Sequence, residues 1–380
     1  MAHPLFQSHH DGSALYVSDE APALGSTVTL RCRTSTRLPV AGVWVRSTPD
    51  AEPHFDRAVV EREDEHETWW RAKILIRNPV QRYRFMIATS GDDYVWLNGA
   101  GVFEHDVPDA LDFVLSTYSP APDWGRDGVV FQIFPDRFAR SAAADERPTP
   151  PWAIPAEWDD EVICSGTDPR TPLQLFGGDI DGITEHLDHV ERVGADTVYM
   201  TPLFPGESNH RYNASTFERV DPLLGGDEAL GRLVTAVHGK GWRMLGDLTT
   251  NHTGDTHEWF ETAVKDPTSP ERDYYYFAAD GSYEGWKSHP TLPKLDYANQ
   301  DLRHRFVEGP GSIVAKWLQP PYDFDGWRID VANMTGRHIG TDLAHEIARS
   351  VRQTSEAVRP DALVLAEHGH DASGDLDGDG

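Results

Sequence analysis

From about residue 13 to 120 the chain alternates apolar and polar positions in short runs separated by turn residues. Residues 27–33 alternate with a period of two, and 43–45, 58–60, 68–76 and 82–88 continue the pattern. Successive strand side chains point to opposite faces, so this period marks strands with one buried face. Several such strands at close spacing predict an antiparallel β-sandwich. The proline-containing stretch 119–123 is the expected linker, which gives an N-terminal domain over residues 1–123.

Beyond about residue 125 the period changes. Residues 129–135 form a continuous apolar run, the pattern of a parallel strand buried on both faces. A helix is predicted over 183–193, with Leu187, Val190 and Val193 on one stripe and Gly194 as its stop. Strand-like runs recur at 197–202, 243–248, 324–330 and 363–367, with helical patterns at 227–238, 300–318 and 340–358. Strands alternating with helices predict an α/β chain built on a parallel sheet. Eight such units close a TIM barrel, and about five are present. The expected fold is therefore a (β/α)8 TIM barrel with only about its first five strands present, preceded by the β-sandwich. On this reading the chain is the N-terminal portion of a longer protein and is inactive by itself. Residues 251–299 break the repeat with aromatics, Pro and Gly, and a connection of that length is a functional excursion. The barrel thus divides into 124–250 and 300–380 around it.

Composition narrows the function more than the fold. The 27 Pro and 32 Gly of the 380 residues are spread along the chain, as in a loop-rich folded enzyme. A formal net charge of -28 argues against nucleic acid and anionic membrane as partners, whereas a neutral substrate such as a sugar tolerates it. The two cysteines, Cys32 and Cys164, fall in different predicted domains, which speaks against a structural disulfide and for a reducing compartment. The first residues lack a basic segment followed by an apolar core, and no apolar run approaches a membrane span. A cytoplasmic location is expected.

The candidate chemistry lies where predicted barrel strands end. Asp330 and Glu367 each follow a short apolar run, and the C-terminal ends of barrel strands form the face that carries chemistry. Paired carboxylates on neighbouring strands suit glycoside hydrolysis, one as nucleophile and the other as acid and then base; the plain alternative is two solvated loop acids. Arg328, two residues before Asp330, shares its face, and its guanidinium is expected to hold the nucleophile ionised. Glu367 must start the cycle protonated, so its surroundings are expected to favour the neutral form. The third strand ends in Asp247, with Asn251 and His252 following. A carboxylate and an imidazole there can bind sugar hydroxyls, although alone they read equally as loop and capping residues.

Taken together, the segments at 247–252, 326–330 and 366–367 resemble the conserved segments of glycoside hydrolase family 13, the α-amylase family. Residues 292–296, 131–138 and 176–182 are similar to marks of its neopullulanase, cyclomaltodextrinase and maltogenic amylase subgroup, and 331–333 agree. The resemblance implies a retaining hydrolase of α-1,4-glucans such as maltooligosaccharides or cyclodextrins, working through a covalent glycosyl-enzyme and needing no organic cofactor. It implies Asp330 as nucleophile, Glu367 as acid/base, Arg328 as support, and Asp247, His252, His210 and Tyr212 as sugar-binding residues. It also implies a starch-binding-type sandwich, with a homodimer by analogy, and makes 251–299 the excursion named domain B, whose Trp259, Tyr274, Tyr275, Tyr276 and Trp286 are candidates to stack sugars or to form its own core. A transglycosylase or isomerase on the same scaffold, or a non-catalytic glucan-binding protein, are the alternatives. Asn213, Met334 and Gly369 depart from the usual Asp, Glu and Trp, and the family's third catalytic acid has no counterpart before residue 380. Calcium stays open, with Asn251 and Asp179 as candidate ligands, and a further acidic loop at Asp375, Asp377 and Asp379. His368, His370 and Asp371 resemble a metal cluster but read better as cleft lining.

Overall fold

The computed structural model describes residues 7–90, 93–118, 120–369 and 372. They form two compact units that divide between Pro120 and Ala121. In the first, Thr27–Ser35, Glu67–Leu75 and Val59–Glu63 make an antiparallel sheet in that spatial order. A second antiparallel sheet runs His54–Arg57, Val40–Ser47, Val80–Thr89, Tyr94–Asn98 and Gly101–Phe103, with Phe113–Ser116 also pairing along Val80–Thr89. The period of two has its physical consequence here. Val28, Leu30 and Cys32 from one sheet meet Val43, Val45, Phe85 and Ile87 from the other in a single core. Burial pushes the Cys32 thiol well above its ordinary range, which makes it an inert core side chain.

The second unit is built on five parallel strands, Val130–Ile133, Thr197–Met200, Arg243–Thr249, Gly326–Asp330 and Leu363–Ala366, adjacent in space in the order they occur along the chain. Between them run Ile180–Glu185 and Leu187–Arg192, then Gly226–Gly239, then Gln300–Phe306 and Ile313–Trp317, then Ala344–Val358. Their apolar faces, including Leu230, Leu233, Val237, Trp317, Ile347 and Val351, pack with Val198, Met244, Leu248 and Trp327 of the sheet. Gly326 is required where the fourth strand meets the fifth, because a Cβ there would stand 2.1 Å from the Leu363 carbonyl oxygen. No helix among the described residues is long and apolar enough to cross a membrane.

Three local expectations differ from what forms. The helix predicted over 183–193 is two helices hinged at His186, and the first begins earlier because Asp179 caps it by accepting from the Gly182 N–H. The 300–318 helix is also split, since Gly309, Pro310 and Gly311 interrupt it and proline offers no N–H to continue the ladder. The first strand is not covered on both faces as its apolar run suggested: Val129 is 53% and Val130 42% exposed. It is an edge strand among the described residues, so nothing there shields its outer side.

The 251–299 segment folds back on the third strand. His252 bridges Lys294, Tyr275 bridges Leu295, and the Tyr297 hydroxyl donates to the Thr250 carbonyl at 2.6 Å. Trp259, Tyr274 and Tyr275 are buried in the core they share with the parallel sheet, so they are packing residues and do not face a ligand. Tyr276 lies against His338, and Trp286 alone of the five aromatics lines the cleft described next.

Candidate active site

The strand register assembles the site. Asp247 of the third strand stands opposite Arg328 of the fourth, and Thr249 opposite Asp330. Arg328 and Asp330 are two apart and share a face. Glu367 follows directly after the fifth strand, whose Ala366 pairs with Ile329. One guanidinium therefore reaches three carboxylates: Arg328 Nη1 donates to Asp247 Oδ2 at 3.0 Å and to Asp330 Oδ1 at 2.8 Å, and Nη2 lies 3.0 Å from Glu367 Oε2. Arg328, Asp330 and Glu367 line a cleft of about 890 Å³ together with His210, Tyr212, His252 and Trp286, and Asp247 lies buried behind Arg328. Sequence thus anticipated residues that the fold does bring to one place.

The electrostatics depart from expectation. Burial, then repulsion from Asp247, pushes the Asp330 carboxyl up to about 7, and Arg328 does not fully offset them. Asp247 is likewise pushed up to about 6 by burial, against the pull of Arg328, Tyr199 and Tyr212. The one cation beside Asp330 and Asp247 does not bring either back to an ordinary carboxylate value. Glu367 takes a contact from Arg328 and accepts the Val331 N–H at 2.8 Å. That N–H is aimed by an unusual backbone. Val331 has φ +47°, a left-handed conformation costly for a β-branched residue and typical of strain kept at functional sites.

The sugar-binding candidates are held as hydrogen-bonding groups. His252 is 2% exposed, and its Nδ1 accepts from Asn251 Nδ2 at 3.1 Å, which leaves the proton on Nε2. That Nε2 is buried without a hydrogen-bond partner among the described residues, on the wall of the cleft. A buried donor without a partner costs free energy until a ligand accepts from it. Burial, with Lys294 and His210 nearby, pushes His252 down to about 3, so the ring is neutral. His210 is neutral for the same reason, at about 4, and its Nδ1 accepts the Tyr212 N–H at 3.1 Å. The Tyr212 hydroxyl donates to Asp247 Oδ2 at 3.0 Å, and the two rings stack with centroids 5.8 Å apart.

Residues that sequence reasoning passed over complete the site. Tyr199 donates its hydroxyl to Asp247 from the second strand, where its run signalled only a strand. Arg211 is 1% exposed with φ +60°; its Nε donates to Asp221 at 2.7 Å and its Nη1 to the Asn209 carbonyl at 2.9 Å. This buried pair fixes the loop that presents His210 and Tyr212. Arg211→Ala is expected to cost about 3–5 kcal/mol in chemical denaturation, since it strands the Asp221 charge.

The oxygens of both calcium candidates are engaged by partners within the chain. Both Asp179 oxygens are taken, by Ser141 and the Gly182 N–H and by Arg147 at 2.7 Å. Asn251 Oδ1 accepts from the Lys294 ammonium at 2.5 Å, and that ammonium also donates to the Met334 carbonyl at 3.0 Å. Built-in cations occupy the oxygens a metal would need. No group of three His, Cys, Asp or Glu among the described residues could hold a metal ion. His370, Asp371, Asp375, Asp377 and Asp379 lie outside the described residues.

The ends of the parallel strands thus bring three acids and an arginine together beside one cleft. A family model described as the alpha amylase catalytic domain matches residues 132–374, and the chain belongs to that family, whose catalytic domain is a TIM barrel. Over 328 residues it is 30% identical to a cyclomaltodextrinase of Geobacillus thermopakistaniensis strain MAS1, covering 82% of this chain and 51% of that one. Over 264 residues it is 31% identical to the intracellular maltogenic amylase of Bacillus subtilis strain 168, covering 68% of this chain and 41% of the relative. The chain thus spans about half the length of the curated relatives it matches. A solved cyclomaltodextrinase aligns with a TM-score of 0.64 at 25% identity, over 98% of this chain and 63% of its own. The cyclic α-maltosyl-(1→6)-maltose hydrolase of Arthrobacter globiformis, in complex with that sugar, aligns with a TM-score of 0.54 at 30% identity, over 65% of this chain and 52% of its own.

Proposed function

We propose that the cleft is the active site of a retaining α-glucan hydrolase that cleaves α-1,4 bonds in maltooligosaccharides, cyclodextrins or related short glucans. One observation carries this reading: a single guanidinium touches Asp330 and Glu367 on the wall of a cleft, and Asp247 behind them, while the neutral His252 ring on the same cleft has an Nε2 without a partner among the described residues. In this reading Asp330 attacks the anomeric carbon and forms a glycosyl ester. Glu367 gives its proton to the departing glycosidic oxygen, then takes one from the water that breaks the ester. Asp247, His252, His210 and Tyr212 hold hydroxyls of the sugar undergoing cleavage, and Arg328 positions the acids. The five strands are read as the first five of eight, so the activity is that of the protein carrying this chain. Its names among relatives, cyclomaltodextrinase and maltogenic amylase, support this substrate class. Proton NMR of the first product from α-cyclodextrin tests the mechanism. The α-anomer is expected before mutarotation, and initial release of the β-anomer excludes the double displacement.

A further inference from the structure

A second cavity, of about 600 Å³, shares no lining residue with the cleft. Its volume falls in the range of about 300–1,000 Å³ that small-molecule sites occupy. The segment after the first strand supplies Arg137, Phe138 and Arg140, the paired helices supply His186, His189 and Arg192, and Trp158 closes one side. Trp158 is 44% exposed, the one tryptophan among the described residues with so much open surface. It is braced from behind: its ring meets Phe176 edge-on with centroids 6.4 Å apart, and the Arg137 guanidinium lies 4.4 Å from the same Phe176 ring.

The charges around the cavity cancel. Arg137 pairs with Asp136 at 2.8 Å, Arg140 with Asp145 at 2.6 Å, and Arg192 with Asp188. An anion would meet no uncompensated cation among these three, on a chain of net charge -28. An apolar ligand would have to desolvate the same guanidiniums and carboxylates. What remains well matched is a neutral ligand with an apolar face for an indole and many hydroxyls that both donate and accept, which describes a pyranose. The long connection that carries Trp158 also supplies Pro169, Pro172 and Leu173 to the cleft, and the Gln174 carbonyl accepts from both Arg137 and Asn209.

We propose that this cavity is a second, non-catalytic sugar site that holds a glucosyl unit of an α-glucan against Trp158. The choice of glucan rests on the functional reading of the cleft. The test is calorimetric titration of the protein with maltohexaose, together with the variants Trp158→Ala, Trp158→Phe and Tyr212→Ala. Two classes of site are expected. Trp158→Ala should weaken one of them at least tenfold, Trp158→Phe should retain it, and Tyr212→Ala should weaken only the other. Circular dichroism confirms folding of each variant. An isotherm of Trp158→Ala matching the parent overturns the proposal. So does quenching of Trp158 by inorganic phosphate with none by maltohexaose, which marks an anion site. Loss of only the Tyr212-dependent class from the parent isotherm counts against the cleft reading and leaves the second site standing.

Discussion

Asp330→Asn is expected to abolish glucan cleavage while leaving glucan binding intact and making the protein more stable at neutral pH. The loss of turnover should be on the order of 10⁴-fold or more, the scale of removing a covalent nucleophile. The stability gain follows from the acid's position. Its carboxyl, at about 7 in the fold against 3.8 as a free side chain, is penalised when charged. Between about pH 4 and pH 7 the folded state keeps a proton that the unfolded chain releases, so this group's contribution to stability falls as pH rises through that window. Asparagine does not titrate. Chemical denaturation should therefore show the two proteins close at pH 4 and the variant ahead at pH 8, by roughly 1–4 kcal/mol at about 1.4 kcal/mol per pKa unit. A variant that is no more stable at pH 8 than its parent refutes the strained-acid account, whatever its activity.

Arg328→Met should do the opposite over the same pH range. Among the described residues it removes the one group that touches Asp247, Asp330 and Glu367 together. Breaking a buried ion pair by deleting one partner costs about 3–5 kcal/mol, and that cost requires the acids to be charged. The loss should be full at pH 8 and small near pH 4, where Asp247 and Asp330 carry protons in the fold. Turnover should vanish with it. Equal destabilisation at the two pH values would mean that Arg328 acts through packing and not through charge.

Much of this was legible in the chain, for identifiable reasons. Alternation in 27–33 and 82–88 named sandwich strands because one face of each is buried, while Gly101–Phe103 and Phe113–Ser116 are too short to show a period. The two-residue spacing of Arg328 and Asp330 and the apolar runs before Asp330 and Glu367 put these side chains at strand ends, where the fold does bring them together. What sequence could not show were cross-strand facts. That Arg328 sits opposite Asp247, and must serve three acids at once, is a matter of register. That Val331 turns its N–H onto Glu367 depends on one backbone angle, and valine is the last residue to suggest it. The burial of Arg211 against Asp221 likewise depends on how the loop folds, which no periodicity in the chain marks.

Lys294 has a consequence of its own. Burial holds its ammonium down at about 8, and it joins the segment after the third strand to the turn that follows Asp330. A dissolved ion in that place would come and go with its concentration, whereas this one is tethered by four methylenes. Dialysis against a chelator should leave this strap in place, because the cation that ties the two segments is part of the chain itself.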